Sequence, residues 1–182
     1  MKPYDYAHRD GVEEIDWQWF AALARKLAQE LADAEIEAIV GVARAGLVPA
    51  ATVACSLRCD LFPVRVTRRD NDVVVRESPV WKVDVSPEVA GKVVAVIDEM
   101  ADSGETLAMV AARVRELGAA RVVTASLVAH SWADPAPDHV ALTTDALVIF
   151  PWDKEVLVDG QWQTHPELAA ALDAQKDRAA GP

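Results

Sequence analysis

No stretch of about 18 or more apolar residues occurs in the chain, so a membrane-spanning helix is not expected. The opening MKPYDYAHRDG has none of the apolar core that a secretory signal carries, and a cytoplasmic location is the expectation that follows. Cysteine is scarce: Cys55 and Cys59 stand four apart in a segment that reads as helix, with no second Cys or His pair at ligand spacing. This argues against a zinc site and predicts two buried thiols. Basic charge is short as well. Eighteen Lys and Arg face 29 Asp and Glu, a formal net charge of −11, which repels phosphate backbones and anionic membrane surfaces. No nucleic-acid or membrane partner is expected, although one small phosphate ligand remains compatible with that balance.

Several nucleotide and hydrolase signatures are missing too. Gly41 and Gly46 have the spacing of a P-loop, but Leu47 and Val48 stand where a lysine and a hydroxyl residue are required. There is no three-glycine dinucleotide fingerprint. Ser103 lacks the flanking glycines of a nucleophile elbow, and the four histidines are dispersed.

What is present is apolar material in a regular order. At 182 residues and 52% hydrophobic, the chain is large enough to bury a core as one domain. Residues 16 to 32 read as an amphipathic helix capped by Asp16, with Phe20, Leu23, Ala24, Leu27 and Leu31 on one face. IEAIVGVA (36 to 43) reads as a strand, Arg44-Ala45-Gly46 as a loop and LVPAATVACSLRC as a helix. LFPVRVT (61 to 67) is another strand, after which Arg68 to Lys92 loses periodicity and reads as an excursion containing a small hairpin. VVAVI (93 to 97) is a continuous apolar run, as expected of a parallel strand covered on both faces, and Leu107, Val110, Ala111, Val114 and Leu117 mark a helix face after it. RVVTASLVA (121 to 129) and DALVIF (145 to 150) are further strands, and a helix begins near His165. Strands and helices alternate, which predicts an α/β fold with a mostly parallel sheet flanked by helices.

In such sheets ligands gather beyond the carboxyl ends of the strands, where loops lead into helix N-termini with unpaired N–H groups. VVAVIDEMADSGETL (93 to 107) is a place of this kind: Asp98 and Glu99 close the strand, and Asp102-Ser103-Gly104-Glu105-Thr106 opens the helix. Two adjacent carboxylates repel each other and gain from a cation or hydroxyl ligand between them. Each residue also has an ordinary reading, Asp102 with Glu105 as a helix cap and Gly104 as a turn residue.

This stretch resembles the phosphoribosyl pyrophosphate (PRPP) binding motif of type I phosphoribosyltransferases. EAIVGVARAGLVPAATVA (37 to 54) is similar to the segment of the xanthine, guanine and hypoxanthine enzymes that holds their pyrophosphate loop, and LVIFPWD (147 to 153) resembles their purine-side segment. Order and spacing hold from about Asp16 to Asp153. The resemblance implies the type I phosphoribosyltransferase fold as a single domain over 1–182, with a mobile hood at about 68–92 and a C-terminal extension at about 154–182. It implies a homodimer, PRPP and a nucleobase as substrates, a 6-oxopurine first among the bases, and Mg2+ as cofactor.

Residue roles follow from the same resemblance. Asp98 and Glu99 would bind the ribose hydroxyls and, with Asp153, hold magnesium mainly through water. Asp102, Ser103, Gly104, Glu105 and Thr106 would grip the 5′-phosphate, with Asp102 as base for the incoming nitrogen's proton. Arg44, Ala45 and Gly46 would face the pyrophosphate, joined by Arg68 or Arg69 from the hood; solvated arginines are the ordinary alternative. His130, Leu147, Val148 and Asp153 would meet the base. Three positions depart from the family pattern: Ala45 where a glycine is usual, His130 where a lysine meets the purine 6-oxygen, and Leu147 where an aromatic ring stacks on the base. His130 also reads as a strand-end surface residue, Leu147 as core, and Trp132 and Trp152 as packing residues or replacement rings. These departures motivate a rival, a PRPP-binding regulatory protein that has lost catalysis. A phosphate-ester hydrolase using the same carboxylates ranks last.

Overall fold

Residues 9, 11–67, 69–70, 73–74 and 79–179 are described by a computed structural model. By contact they divide into two units: residues 21–143, and a second drawn from both sides of these, up to Phe20 and from Thr144 onward. In chain order the elements are β1 (Val12–Glu14), α1 (Trp17–Ala32), β2 (Ala38–Ala43), α2 (Leu47–Leu57), β3 (Asp60–Thr67), β4 (Arg69–Asp70), β5 (Val73–Val74), β6 (Val80–Val83), a 3-10 turn (Pro87–Val89), β7 (Val93–Ala101), α3 (Glu105–Glu116), β8 (Arg121–Ala129), β9 (His139–Thr143), β10 (Leu147–Ile149), β11 (Glu155–Val158), β12 (Gln161–Thr164) and α4 (Pro166–Ala179).

The larger unit is built on a six-stranded sheet of order β6-β3-β2-β7-β8-β9. Every pairing in it is parallel except β3 with β6, so the expected mostly parallel sheet is present. Its centre explains itself from sequence. Successive side chains of a strand point to opposite faces, and Ile39, Val40, Val94, Ala95, Val96 and Ile97 are all fully buried, so both faces must be covered. Helices α2 and α3 pack against these strands, α3 through Leu107, Val110, Ala111 and Val114, the stripe that the sequence marks. Each fully buried valine contributes about 1.5–3 kcal/mol of burial. Helix α1 starts where expected, with Asp16 Oδ1 accepting the Trp19 N–H at 2.6 Å. Lys26 Nζ donates to the Ala141 carbonyl at 2.7 Å, tying α1 to β9.

Several expectations need correction. The segment that reads as an excursion does carry a small antiparallel pair, β4 with β5, but its later part returns to the sheet as β6 on the edge of β3. Helix α2 stops at Leu57 because Arg58 turns into the left-handed region (φ 58°) and donates its N–H to Ala54 O. Cys59 therefore lies outside the helix, half-buried, and Cys55 is exposed, so the two thiols are not the buried pair expected. Burial still raises the Cys59 thiol above its ordinary pKa, and the adjacent Asp60 adds to this, opposing a reactive thiolate.

In the second unit β10 pairs in parallel with β1 and takes no place in the six-stranded sheet. Strands β11 and β12 form an antiparallel hairpin. Trp152 stacks on Phe150 at 4.8 Å between ring centres and meets Phe20 edge-on at 5.3 Å, so it packs in an aromatic cluster. Among the described residues no helix is long and apolar enough to cross a membrane.

Candidate active site

The order of the sheet contains a switch point. From β2 the chain moves through α2 to β3 on one side, whereas β7, on the other side of β2, continues through α3 to β8. The carboxyl ends of β2 and β7 thus lead to helices from adjacent strands, the arrangement that opens a ligand crevice in α/β sheets. Pairing shows the opening directly. β2 and β7 stay in register from Ala38 opposite Val94 to Gly41 opposite Ile97, and then β7 runs on beside β8 alone to Ala101 opposite Ala129. Asp98 and Glu99 are the first residues past that fork. The acidic pair, expected to close the strand, lies inside it, since β7 continues to Ala101.

Asp98 is buried and its Oδ1 accepts the Glu99 N–H at 2.9 Å. Burial, then the charge of Glu99 and a hydrogen bond with its side chain, push the Asp98 carboxyl well above its ordinary pKa. The loop from β2 closes over it. A Cβ on Gly46 would meet Asp98 Oδ1 at 2.5 Å and the Val42 carbonyl at 2.5 Å. Gly46 has an ordinary helical φ of −60°, so the glycine answers a need for space. Arg44 is exposed, Ala45 is half-buried, and the Ala43–Arg44 peptide is cis. Leu47 N–H donates to the Arg44 carbonyl and Val48 N–H to that of Ala45, turning the loop directly into α2.

At the end of β7, Gly104 and not Asp102 is the residue before α3, with φ +81°. Ser103 Oγ accepts the Glu105 N–H at 3.4 Å, and Thr106 lies in the first turn of α3. Asp102 is left for other partners. The Trp132 indole Nε1 donates to its Oδ1 at 3.2 Å, and His130 Nε2 lies 3.9 Å from the same oxygen. His130 is buried at 5% exposure, which overturns the surface reading, and its ring stacks on Trp132 at 4.4 Å and 19°. Main-chain bonds hold the two loops together: His130 N–H to Ala101 O and Asp134 N–H to Ser103 O, both 3.1 Å. A Cβ on Gly104 would collide with the Pro135 carbonyl. Gly104→Ala combines this clash with a left-handed φ, and should lower the unfolding free energy by about 2–4 kcal/mol. A chemical denaturation midpoint equal to wild type would show that the contact between the loops yields freely.

Asp98, Glu99, Arg44 to Gly46, Asp102 to Thr106 and His130 are thus all in the larger unit. The remaining expected residues are in the other. There Leu147 is buried, in line with its reading as core, and it lines a cavity together with Val148, the exposed Asp153, Phe150, His165, Glu167 and Leu168. The last three come from the region of α4 that the sequence does not connect with any site. Arg68 lies outside the described residues, and Arg69 is described only as backbone of β4. The contact of Trp132 with Asp102 is also beyond the sequence, which offers that indole as a packing residue or a replacement ring. Its only signal is position, two residues after His130 in a proline-containing loop.

A phosphoribosyl transferase domain model matches residues 12–158. The chain is 32% identical over 142 residues to xanthine-guanine phosphoribosyltransferase of Idiomarina loihiensis, covering 76% of this chain and 85% of that one. It is 33% identical over 147 residues to the enzyme of the same name from Gluconobacter oxydans, covering 76% and 83%. The crystal structure of a purine phosphoribosyltransferase from Pyrococcus horikoshii superposes with a TM-score of 0.72 at 27% identity, covering 81% of this chain and 98% of that one. Switch point, acidic strand end and matched domain agree, and the chain belongs to the phosphoribosyltransferase family, a transferase by class.

Proposed function

We propose that this enzyme transfers a 5-phosphoribosyl group from PRPP to a nitrogenous base, a 6-oxopurine, releasing pyrophosphate as a step of purine salvage. The observation that carries the reading is the fork between β2 and β7. It places two adjacent carboxylates beside a loop that enters the N-terminus of a 12-residue helix. The carboxylates suit a vicinal diol, and the helix N-terminus suits a phosphate, the two ends of one ribose 5-phosphate. The names of the relatives from Idiomarina loihiensis and Gluconobacter oxydans support the choice of a 6-oxopurine.

In this reading Asp98 and Glu99 bind the ribose 2′ and 3′ hydroxyls, and Ser103 to Thr106 hold the 5′-phosphate. The backbone of Ala45 and Gly46, with Arg44, faces the pyrophosphate. Asp102 accepts the proton of the attacking purine nitrogen. His130 donates to the 6-oxygen, and its Nε2 is 3.9 Å from Asp102 Oδ1, so one strand end offers both a donor and an acceptor to the base. Val148 and Asp153, to which the resemblance assigns base contacts, line a cavity within the second unit. The residues present fit magnesium. A buried carboxyl held above its ordinary range by burial and by a second carboxylate is relieved by a cation beside it, and magnesium takes few protein oxygens and keeps its waters. Bound through Asp98 and Glu99, it would supply charge compensation for the departing pyrophosphate.

The test is a panel of hypoxanthine, guanine, xanthine, adenine, uracil and orotate, each with PRPP and magnesium, scored by pyrophosphate release and nucleotide formation. Turnover is expected with one or more of the three 6-oxopurines and not with the others. Turnover only on another base would refute the purine assignment. Saturable PRPP binding with no pyrophosphate from any base would establish the regulatory reading instead.

A further inference from the structure

We infer that Trp132 is a positioning residue for Asp102, holding that carboxylate in its reactive orientation from a loop that also carries His130; the inference rests on the proposed role of Asp102 as base. The indole Nε1–H donates to Asp102 Oδ1 at 3.2 Å. A carboxylate on a short side chain has two soft torsions, and a donor fixed on one of its oxygens restrains both. The donor is itself fixed. Its ring lies on the imidazole of His130 at 4.4 Å and 19°, and His130 is buried where β8 ends.

The support extends beyond one contact. Residues 130–135 dock along the loop that follows β7 through His130 N–H to Ala101 O, Asp134 N–H to Ser103 O, and Pro135 O against Gly104. Trp132 sits between these anchors. At 47% exposure the indole is too open to be explained by core packing. A ring retained only to stack on a base would have no need of its N–H directed at Asp102. The arrangement joins the loop bearing the proposed 6-oxygen donor to the proposed base through one indole.

Trp132→Phe keeps a ring over His130 and removes the N–H. It is expected to lower kcat about tenfold, the scale of a charge-assisted hydrogen bond, with KM for PRPP and for the base changed less than threefold. In an Asp102→Asn background the same change should cost less than twofold, because the group it positions is gone. Unchanged kcat in the single variant, or a loss confined to KM for the base, would overturn the inference. The latter would make Trp132 a stacking surface. The contact has its own readout in the indole nitrogen-15 and proton resonances of Trp132, identified by their absence from Trp132→Phe. They should move in Asp102→Ala, which leaves no acceptor for the indole N–H, and resonances that stand still in that variant refute the contact whatever the turnover. Wild-type protein that releases no pyrophosphate with any base refutes the transfer reading. A wild-type enzyme that turns over while Trp132→Phe matches it refutes only the positioning role.

Discussion

Asp102→Asn is expected to reduce phosphoribosyl transfer about a hundredfold to ten-thousandfold while PRPP binds within about threefold of wild type. The substitution is nearly isosteric. The amide oxygen can still accept the Trp132 indole N–H, and neither main-chain bond between the loops, at Ala101 and at Ser103, uses the Asp102 side chain. What is lost is a group able to take a proton at neutral pH. A nitrogen attacking the ribose carbon must shed its proton as the bond forms, and without an acceptor that charge stays on the base. The effect therefore falls on kcat, not on donor binding, which depends on Ser103 to Thr106 and on the acidic pair. Isothermal calorimetry with PRPP and magnesium, set beside single-turnover kinetics, separates the two. Unchanged turnover would refute the role of Asp102 as base. Parallel loss of PRPP affinity would move it to the phosphate-holding group.

The parts of the site most legible in the sequence are those whose chemistry and secondary structure are written in one short segment. VVAVI announces a strand buried on both faces because a parallel interior strand has no polar side, and the carboxylates directly after it mark the strand end as unusual. Elements with little burial leave no such mark. β11 and β12 are largely exposed, so no alternation of apolar and polar residues distinguishes them from loop. β1 is three residues long and depends on pairing with β10, more than 130 positions away. β9 follows a segment rich in Pro and Asp, whose turn signals mask the five residues after it. The end of α2 is not legible in the sequence because the left-handed residue there is Arg58 and not a glycine. The company kept by Asp102 is of a different kind again. Trp132 is 30 positions away, and their meeting is set by how the loop after β8 folds back on the loop after β7.

Asp98→Asn is expected to abolish most transfer while making the ligand-free protein more stable at neutral pH. An aspartate in an unfolded chain loses its proton near pH 3.9. In the folded protein the Asp98 carboxyl keeps its proton to a higher pH, because burial and Glu99 disfavour its charge. Between those two values the folded state binds more protons than the unfolded state, so wild-type stability declines as pH rises through that window, and the loss is complete above the folded pKa. The amide keeps an oxygen to accept the Glu99 N–H and never ionises. The variant's advantage should be near zero at pH 3 and grow as pH rises toward 8 in urea unfolding with divalent ions removed. Adding magnesium and PRPP should reverse the order, since binding to the folded state stabilises only the protein that retains the charge the ligands use. Turnover should fall at least about a hundredfold, the scale on which a fixed charge in a water-poor site contributes. A ligand-free variant less stable than wild type at pH 8 would show that Asp98 is held in place by interactions that the amide cannot replace. A stable variant that still binds PRPP with wild-type affinity would remove Asp98 from the ribose site.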